Sequence, residues 1–312
     1  MRRILTCCRF HALGMTCVTL RKRSGGCQVE GATAIGVLRP VVAVCYARSS
    51  MNASFREVAV DAATRAGALL RAHLGGTREV SYKGSPINLV TEMDRRAEAL
   101  IVEAIQRHFP DHGILAEECG AIGDAGSHRW IVDPLDGTTN YAHGMPIYCV
   151  SIALEITGRV ALGVVYDPHR DECFVAERGR GAALNGAPLR VSATATLGES
   201  LLSTGYQYDI RSSSRNNLAE HAALLLRSHS VREIGSAVLN LAYVAAGRLE
   251  AFWELSLGAW DVAAGALLVE EAGGRVTSPD GAPLDLAAPS IVASNGVIHD
   301  EILKVLEEVR AR

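Results

Sequence analysis

Residues 129–144, RWIVDPLDGTTNYAHG, join a short apolar segment to a polar turn. Trp130, Ile131 and Val132 are typical of a buried strand, yet Asp133 and Asp136 follow at once. One interpretation is an ordinary surface turn, because Asp-Pro and Asp-Gly are common turn dipeptides. The other is a site that holds a metal ion and a phosphate group. These residues by themselves leave both interpretations open.

The composition is that of a globular protein with an acidic body. Of the 312 residues, 48% are hydrophobic and 21% charged, which allows one or two domains with a large buried core. Residues 1–50 hold eight Lys or Arg and one acid, so residues 51–312 carry a net charge of −10. An acidic body argues against direct nucleic-acid binding and suits a protein that gathers cations.

The first fifty residues differ from the rest of the chain. They lack clear periodicity, and their apolar runs are too short and interrupted to span a membrane. A secretory signal or a transit peptide is one alternative, because the segment is basic and nearly free of acids. We expect instead a basic extension that is unstructured or not translated, with translation starting at Met51 and residues 51–312 forming one domain.

Cysteine usage predicts a reducing compartment. Five of the eight cysteines lie before residue 50 without metal-finger spacing, and the other three are scattered. This pattern favours packed thiols in a cytoplasmic protein over a disulfide framework.

Periodicity and turn residues predict a layered α/β or α+β fold with a mostly antiparallel central sheet. Turn dipeptides at Thr157-Gly158 and Asn185-Gly186 indicate β-hairpins. Helices are predicted from 55 to near 75, from the cap Thr91 to before Pro110, and at 214–228, 236–247, 261–272 and 297–310. Further strands are predicted at 114–116, 130–132, 201–204, 231–234, 250–254, 274–277 and 291–294.

Acids interrupt apolar sequence at three places. Glu117 and Glu118 follow the strand 114–116, Asp133 and Asp136 follow 130–132, and Asp261 opens an apolar helix. A buried carboxylate must be neutralised, and few basic residues lie nearby in the sequence. Mg²⁺ prefers oxygen ligands and commonly joins a few carboxylates to a substrate phosphate. Two such ions sharing a carboxylate would suit phosphoryl transfer to water.

The residues after Asp136 fit phosphate binding. Gly137 allows backbone amides to approach a phosphate at a helix start, and the Thr138 hydroxyl could hold the attacking water. Competing signatures are missing from the sequence: it has no Walker A loop, no C-x-x-C pair, no H-E-x-x-H and no G-x-S-x-G. Nucleotide-loop, zinc-protease and serine-hydrolase chemistry are therefore disfavoured.

Five blocks in order give the chain a family resemblance. WIVDPLDGTTNY (130–141) and WDVAAGALLVEEAGG (260–274) resemble the paired signatures of the inositol monophosphatase family. Within that family, the sequence of these blocks looks most similar to that of bacterial inositol-1-monophosphatases. INLVTEMD (87–94), ILAEE (114–118) and GSAVLNLAYVAAGRLEAFWE (235–254) extend the likeness over about residues 54–310. The resemblance implies a layered αβαβα sandwich, a homodimer, and a Mg²⁺-dependent, lithium-sensitive phosphatase domain at 51–312.

The resemblance also implies roles for single residues. The metal ligands, for two to three Mg²⁺ ions, would be Glu117, Asp133, the Leu135 carbonyl, Asp136 and Asp261, with Asp133 shared between ions. The catalytic residues would be Glu117 and Thr138, which position the water, and Asp94, which accepts a hydrogen bond from that threonine. The substrate would contact Asp136, Gly137, Thr138, Gly235, Ser236, Ala237, Glu254 and Asp261. Lys83 and Glu118 match charged positions at the edge of the site.

Several functions remain open at this point. The leading expectation is hydrolysis of myo-inositol 1-phosphate. Relatives implied by the resemblance act on fructose 1,6-bisphosphate, histidinol phosphate or nucleotide 3′-phosphates, and Glu254 favours a polyol because it can accept hydrogen bonds from hydroxyls. A bacterial relative with a binding role in transcription antitermination suggests a transcription-factor partner as the alternative of a different class.

Overall fold

The computed structural model describes residues 5–11, 14–23, 26–29, 54–76, 80–82, 89–124, 126–214 and 216–311. The chain divides into two units, Met1–Ser50 and Met51–Arg312. In the first, the strands β1 (Leu5–His11), β2 (Gly14–Arg23) and β3 (Gly26–Val29) pair antiparallel in sequence order. The sequence predicted no regular structure here, although Thr16, Val18 and Thr19 favour strands. The start at Met51 stays a prediction.

The second unit contains the remaining elements. Its helices are α1 (Phe55–His73), α2 (Glu92–His108), α3 (Thr138–Ala142), α4 (Leu218–Leu225), α5 (Ala237–Ala245), α6 (Ala259–Glu271) and α7 (His299–Arg310). Its strands are β4 (Val80–Tyr82), β5 (Leu89–Thr91), β6 (Gly113–Ala116), β7 (Gly120–Ile122), β8 (His128–Asp136), β9 (Cys149–Ile156), β10 (Arg159–Asp167), β11 (Glu172–Glu177), β12 (Gly181–Leu184), β13 (Ala187–Pro188), β14 (Leu201–Thr204), β15 (Ser230–Arg232), β16 (Ala251–Glu254), β17 (Arg275–Thr277) and β18 (Ile291–Ser294).

An eight-stranded sheet forms one half of this unit, in the order β13-β12-β11-β10-β9-β8-β6-β7. Its neighbours are antiparallel except for the parallel pair β6 and β8. Thr157 and Gly158 connect β9 to β10 with φ of 49° and 79°, and Asn185 and Gly186 connect β12 to β13 with φ of 49° and 84°. These positive angles match tight hairpin turns, so both predicted hairpins are present.

A five-stranded sheet forms the other half, in the order β15-β14-β16-β18-β17. The strand β14 lies parallel to β15 and to β16, whereas β18 lies antiparallel to β16 and to β17. The crossovers that parallel pairing requires are supplied by α4 and α5.

The helices and sheets alternate in five layers. Helices α1 and α2 cover one face of the larger sheet, and α5 and α6 lie between the two sheets. Helices α4 and α7 cover the outer face of the smaller sheet. The packing of apolar faces on both sides of each sheet explains why most strands are buried throughout. The predicted αβαβα sandwich is confirmed.

Local signals set the helix boundaries. Ser54 and Thr91 each form a capping box with an acid three residues later, and these boxes begin α1 and α2. Helix α4 begins four residues later than predicted, because the buried Asn217 donates hydrogen bonds to Thr204 Oγ1 (2.8 Å) and the Gly205 carbonyl (2.7 Å). These bonds hold the preceding loop outside the helix. None of the described helices is long and apolar enough to span a bilayer.

Candidate active site

Three elements bring acids to one edge of the larger sheet. Strand β8 is irregular between Asp133 and Asp136, where its register against β9 shifts. Strand β6 runs parallel to β8 and ends one residue before Glu117, whose amide donates to the Val132 carbonyl at 3.2 Å. Helix α6 begins at Ala259 and places Asp261 in its first turn. The parallel pairing thus sets Glu117 beside the acids of β8, as carboxyl ends of parallel strands meet at the same edge.

The three aspartates form a compact cluster. One carboxylate oxygen from each of Asp133, Asp136 and Asp261 lies within 4.8 Å of the others. Asp133 is 1% and Asp136 9% exposed. Burial, followed by the negative charge of Glu117 and of the other two aspartates, raises the pKa of Asp133 well above its ordinary value. Burial also raises the pKa of Asp136.

This donor set fits a divalent cation. Among the described residues, no Lys or Arg forms an ion pair with Asp133 or Asp136, although both are buried. Buried carboxylates that lie close together, such as Asp133 and Asp136, repel one another, and a doubly charged ion that binds oxygen removes that repulsion. The observation supports the interpretation of residues 129–144 as a metal site over that of a plain surface turn.

Asp136 is held in place from helix α5. The Ser236 hydroxyl and the Val238 amide (2.8 Å) both donate to Asp136 Oδ2. The Cys149 thiol donates to the same oxygen at 3.8 Å. These hydrogen bonds oppose the pKa rise that burial causes. All three hydrogen bonds end on Oδ2 and fix the orientation of the side chain.

Asp94 and Thr138 connect helix α2 to the turn after β8. Asp94 Oδ2 accepts from the Thr91 amide (2.8 Å) and hydroxyl (2.5 Å), which completes the cap of α2. Asp94 Oδ1 lies 3.0 Å from Thr138 Oγ1, which is also 3.0 Å from the Leu135 carbonyl. Burial raises the pKa of Asp94, and the hydrogen bonds from the two threonines oppose this change.

Glu98 fixes the turn that carries Glu117. Its carboxylate, 4% exposed on α2, accepts from the amides of Glu118 (2.8 Å) and Cys119 (2.9 Å). The peptide next to Glu117 is therefore tied to a helix rather than left as a free loop. Glu118 itself is half-buried at this turn.

Two adjoining cavities contain the predicted site residues. The first, which we call the carboxylate cavity, has a volume of about 230 Å³ and is lined by Glu117, Asp133, Leu135, Asp136, Gly137, Thr138, Tyr208, Ser256, Gly258, Trp260 and Asp261. The second, the side cavity, measures about 250 Å³ and shares Asp136, Gly137, Thr138, Tyr208, Ser256 and Asp261 with the first. Its other walls include Gly235, Ser236, Ala237 and Glu254. The arrangement places an acidic site next to a pocket large enough for a small polar molecule.

Close packing explains two of the glycines. Gly137 has φ of 96°, and a Cβ atom there would lie 2.9 Å from the Ile147 carbonyl oxygen. Gly205 lies directly against Glu254, since its Cβ would be 2.2 Å from Glu254 Oε2. The Glu254 carboxylate thus occupies space that only glycine leaves open.

The similarity to known proteins agrees with this geometry. The inositol monophosphatase family matches residues 51–311. An inositol-1-monophosphatase of Synechocystis sp. is 47% identical over 251 residues, which cover 80% of this chain and 88% of the relative. The chain belongs to the inositol monophosphatase family. It is therefore a phosphoric monoester hydrolase, and the family is metal-dependent.

Further similarities concern the fold and a second kind of relative. The solved inositol monophosphatase of Anabaena (Nostoc) sp. is 45% identical with a TM-score of 0.75, and the match covers 81% of this chain and 95% of that one. A Pseudomonas aeruginosa protein named Nus factor SuhB is 46% identical over 225 residues, which cover 70% of this chain and 82% of that protein.

The structure brings together most of the residues that the family resemblance singled out. All five predicted metal ligands line the carboxylate cavity, and all eight predicted substrate contacts line the side cavity. Asp94 reaches the cavities through Thr138. Lys83 lies outside the described residues. The functional assignment of each of these residues stays a prediction.

Sequence reasoning missed several residues of the site. Glu98 accepts a hydrogen bond from the amide of Glu118, next to Glu117, and Cys149 donates one to Asp136. The side cavity is also lined by Tyr208, Glu233 and Asn240. Burial and the charges of the four acids around it, Glu117 foremost, raise the pKa of Tyr208. No local sequence pattern marks these positions, because each depends on a contact between distant segments.

Proposed function

We propose that this family member hydrolyses a small phosphate monoester, with myo-inositol 1-phosphate as the nominal substrate and two to three Mg²⁺ ions as cofactors. The observation that carries the proposal is the cluster of two buried aspartates, Asp133 and Asp136, with the half-buried Asp261, beside a polar cavity. The predicted ligand set adds Glu117 and the Leu135 carbonyl, with Asp133 shared between ions. Bound Mg²⁺ would neutralise phosphate charge and lower the pKa of a water molecule.

The protein's own groups would orient the attacking water. Thr138 has one hydroxyl proton, which it would donate to Asp94. The Leu135 carbonyl then remains available as a metal ligand, and a lone pair of the threonine oxygen can accept a hydrogen bond from water. Glu117, at the end of the neighbouring strand, would accept a hydrogen bond from the second hydrogen of that water. The lone pair of the water then points towards the phosphorus.

The phosphate and the alcohol would occupy different cavities. Amides of a first helical turn have no partner within the helix, so those of Gly137 and Thr138 are suited to phosphate oxygens. The alcohol part would lie in the side cavity, where Gly235, Ser236 and Ala237 border one side. Asp136, Asp261 and Glu254 supply carboxylate oxygens for its hydroxyl groups.

A phosphatase panel with Mg²⁺ titration tests the proposal. The panel contains inositol 1-phosphate, fructose 1,6-bisphosphate, histidinol phosphate and adenosine 3′,5′-bisphosphate. We expect Mg²⁺-dependent release of phosphate from inositol 1-phosphate with inhibition by lithium. Activity that is unchanged by removal of Mg²⁺, or no activity on any monoester, would contradict the proposal.

A regulatory binding role is the second candidate, and the similarity to the protein named Nus factor SuhB favours it. A transcription factor would be the partner. Asp133→Asn separates the two functions, because a binding role independent of catalysis survives in that variant. Loss of both together would count against a separate role.

The proposal extends to the state of the protein in the cell. We expect a cytoplasmic homodimer whose native N-terminus is Met51. Light scattering of the purified protein and mass spectrometry of the native protein check the oligomeric state and the terminus.

A further inference from the structure

The side cavity presents mainly hydrogen-bond acceptors to a bound alcohol. Glu254 is buried at the end of β16, and the buried Asn240 side-chain oxygen has no hydrogen-bond partner among the described residues. Glu233 lines the same cavity from the loop that follows β15. None of the described residues that line this cavity is Lys, Arg or His. The wall therefore suits groups that donate hydrogen bonds.

Glu233 forms no ion pair with the basic residue next to it in the sequence. The adjacent Arg232 does not pair with it, because the Arg232 guanidinium donates to Ser230 Oγ (2.5 Å) and to the Val231 carbonyl (3.3 Å). No ion pair between Glu233 and another described residue occurs within 4.0 Å. Glu233 is exposed, so it can accommodate substitution without disturbing the core.

Glu233 acts electrostatically on two other residues of the side cavity, Tyr206 and Glu254. Burial raises the pKa of the Tyr206 phenol, and the charge of Glu233 raises it further. Burial is also the main cause that raises the pKa of Glu254, and Glu233 adds to it together with Asp261 and Asp136. Glu233 thus acts on the alcohol half of the site through space.

We propose that Glu233 determines substrate specificity by charge, a role that rests on the proposed phosphatase function. Its carboxylate disfavours an alcohol part that carries a second phosphate or a carboxylate. It favours an alcohol part with hydroxyl or ammonium donors, for which Glu254 and Asn240 supply further acceptors. The substrate class is accordingly a monophosphate of a neutral or cationic alcohol.

Three substrates and three variants of the full chain test this role. We would measure kcat/KM with Mg²⁺ at low ionic strength for inositol 1-phosphate, fructose 1,6-bisphosphate and histidinol phosphate, which have neutral, anionic and cationic alcohol parts. The variants are Glu233→Gln, Glu233→Lys and the control Glu307→Lys, an exposed acid on α7 outside both cavities.

We expect Glu233→Lys to raise the ratio of bisphosphate to inositol phosphate kcat/KM by about tenfold and to lower the ratio for the cationic substrate. Glu233→Gln should fall between Glu233→Lys and the wild type, and Glu307→Lys should match the wild type. In the wild-type enzyme, added salt should reduce the discrimination because it screens the repulsion.

Ratios that are the same in all four proteins, with activity retained, would overturn the role of Glu233 alone. A salt-independent wild-type ratio would count against it without any variant. If the wild type hydrolyses none of the three substrates, both the proposed function and the specificity role of Glu233 are overturned.

Discussion

Asp133 is the residue on which the metal proposal depends most. It lies in β8 close to Asp136 and Asp261, is almost fully buried, and accepts a hydrogen bond from the Leu135 amide at 2.9 Å. Glu117, Asp136 and Asp261 all act on it electrostatically. Neighbouring carboxylates disfavour the charged form of Asp133, and bound cations would offset their repulsion, so its charge should be essential for activity and dispensable for folding.

We predict that Asp133→Asn abolishes turnover. The change removes one negative charge that the proposal assigns to two ions at once, and we expect kcat to fall by at least about a hundredfold. The folded state should persist, because the variant has less repulsion among buried acids. Steady-state kinetics with Mg²⁺ and a circular dichroism melt measure both effects. Asp61→Asn, an exposed acid on α1, is the control; near-normal kcat in Asp133→Asn would refute the shared-ligand assignment.

Gly205 offers a second test at the residue scale. An alanine Cβ would collide with the Glu254 carboxylate and displace it from the side cavity. Losing one hydrogen bond to a charged group costs about 1.5–3 kcal/mol, so we expect kcat/KM to fall about tenfold or more. Gly76→Ala is the control, because among the described residues the only atom within 4 Å of its Cβ would be the His73 carbonyl oxygen, at 3.4 Å. Equal kinetics in the two variants would argue against a role of Glu254 in binding the alcohol.

At the scale of elements, the connection from α2 to the turn after β6 should control Glu117. We predict that Glu98→Gln destabilises the fold by about 1–3 kcal/mol, because an amide NH₂ would face one of the backbone donors that now share the carboxylate. Mg²⁺ affinity should weaken by about tenfold to a hundredfold, as is usual for groups that support metal ligands. Thermal melts and Mg²⁺ titration of activity measure the two effects.

The control for this prediction lies on the same helix. Glu92→Gln removes an exposed ion pair with Arg96 (3.4 Å), which should change stability by less than about 1 kcal/mol and leave Mg²⁺ dependence as it is. If Glu98→Gln behaves like Glu92→Gln, the turn is held by other contacts.

The elements were largely predictable because their signals are local. The Thr91 cap of α2 and the Thr157-Gly158 hairpin depend on residues within a few positions of each other. The same holds for the acidic strand ends, since Glu117 and Asp133 each follow an apolar run directly. Family resemblance added the roles of Asp94 and Glu254, because their local signals indicate only a helix start and a strand end.

The remaining features depend on contacts between distant segments. The parallel pairing of β6 with β8 cannot be read from either strand, yet it places Glu117 next to Asp133. Cys149 contacts Asp136 because β9 pairs with the end of β8. Glu233 enters the side cavity only because the smaller sheet is packed beside helix α5.

At the scale of the molecule, elements from several layers meet at the acids, so stability should depend on the neutralisation of these acids. Strand β8 and the start of α6 both contribute carboxylates, while α5 fixes Asp136 from the layer between the sheets. Repulsion at this point acts on several layers together. Metal removal should therefore lower the stability of the whole unit, and by an amount that depends on pH.

We predict that Mg²⁺ raises the melting temperature more at about pH 8 than at about pH 5. Without metal, the pKa values of Asp133 and Asp136 lie above the ordinary value of 3.8. The native state then binds more protons than the unfolded state above that pH, so metal-free stability falls as pH rises through the raised pKa values. Bound Mg²⁺ pairs the charged forms and removes this loss.

The effect is measured from melting curves recorded between about pH 5 and about pH 8, once with Mg²⁺ and once with a chelator. At each pH, the difference between the two melting temperatures is the Mg²⁺ effect. Burial lowers the pKa of His299 from 6.5 to about 4, so His299 destabilises the native state as pH falls below 6.5. His299 lines neither cavity, so its contribution cancels between the two conditions. Asp133→Asn should flatten the pH dependence of the metal-free protein, because it removes an acid whose pKa is raised by burial and by three neighbouring acids. A Mg²⁺ effect that is constant with pH, or larger at the acidic end, would show that the acids do not carry charge that metal must neutralise.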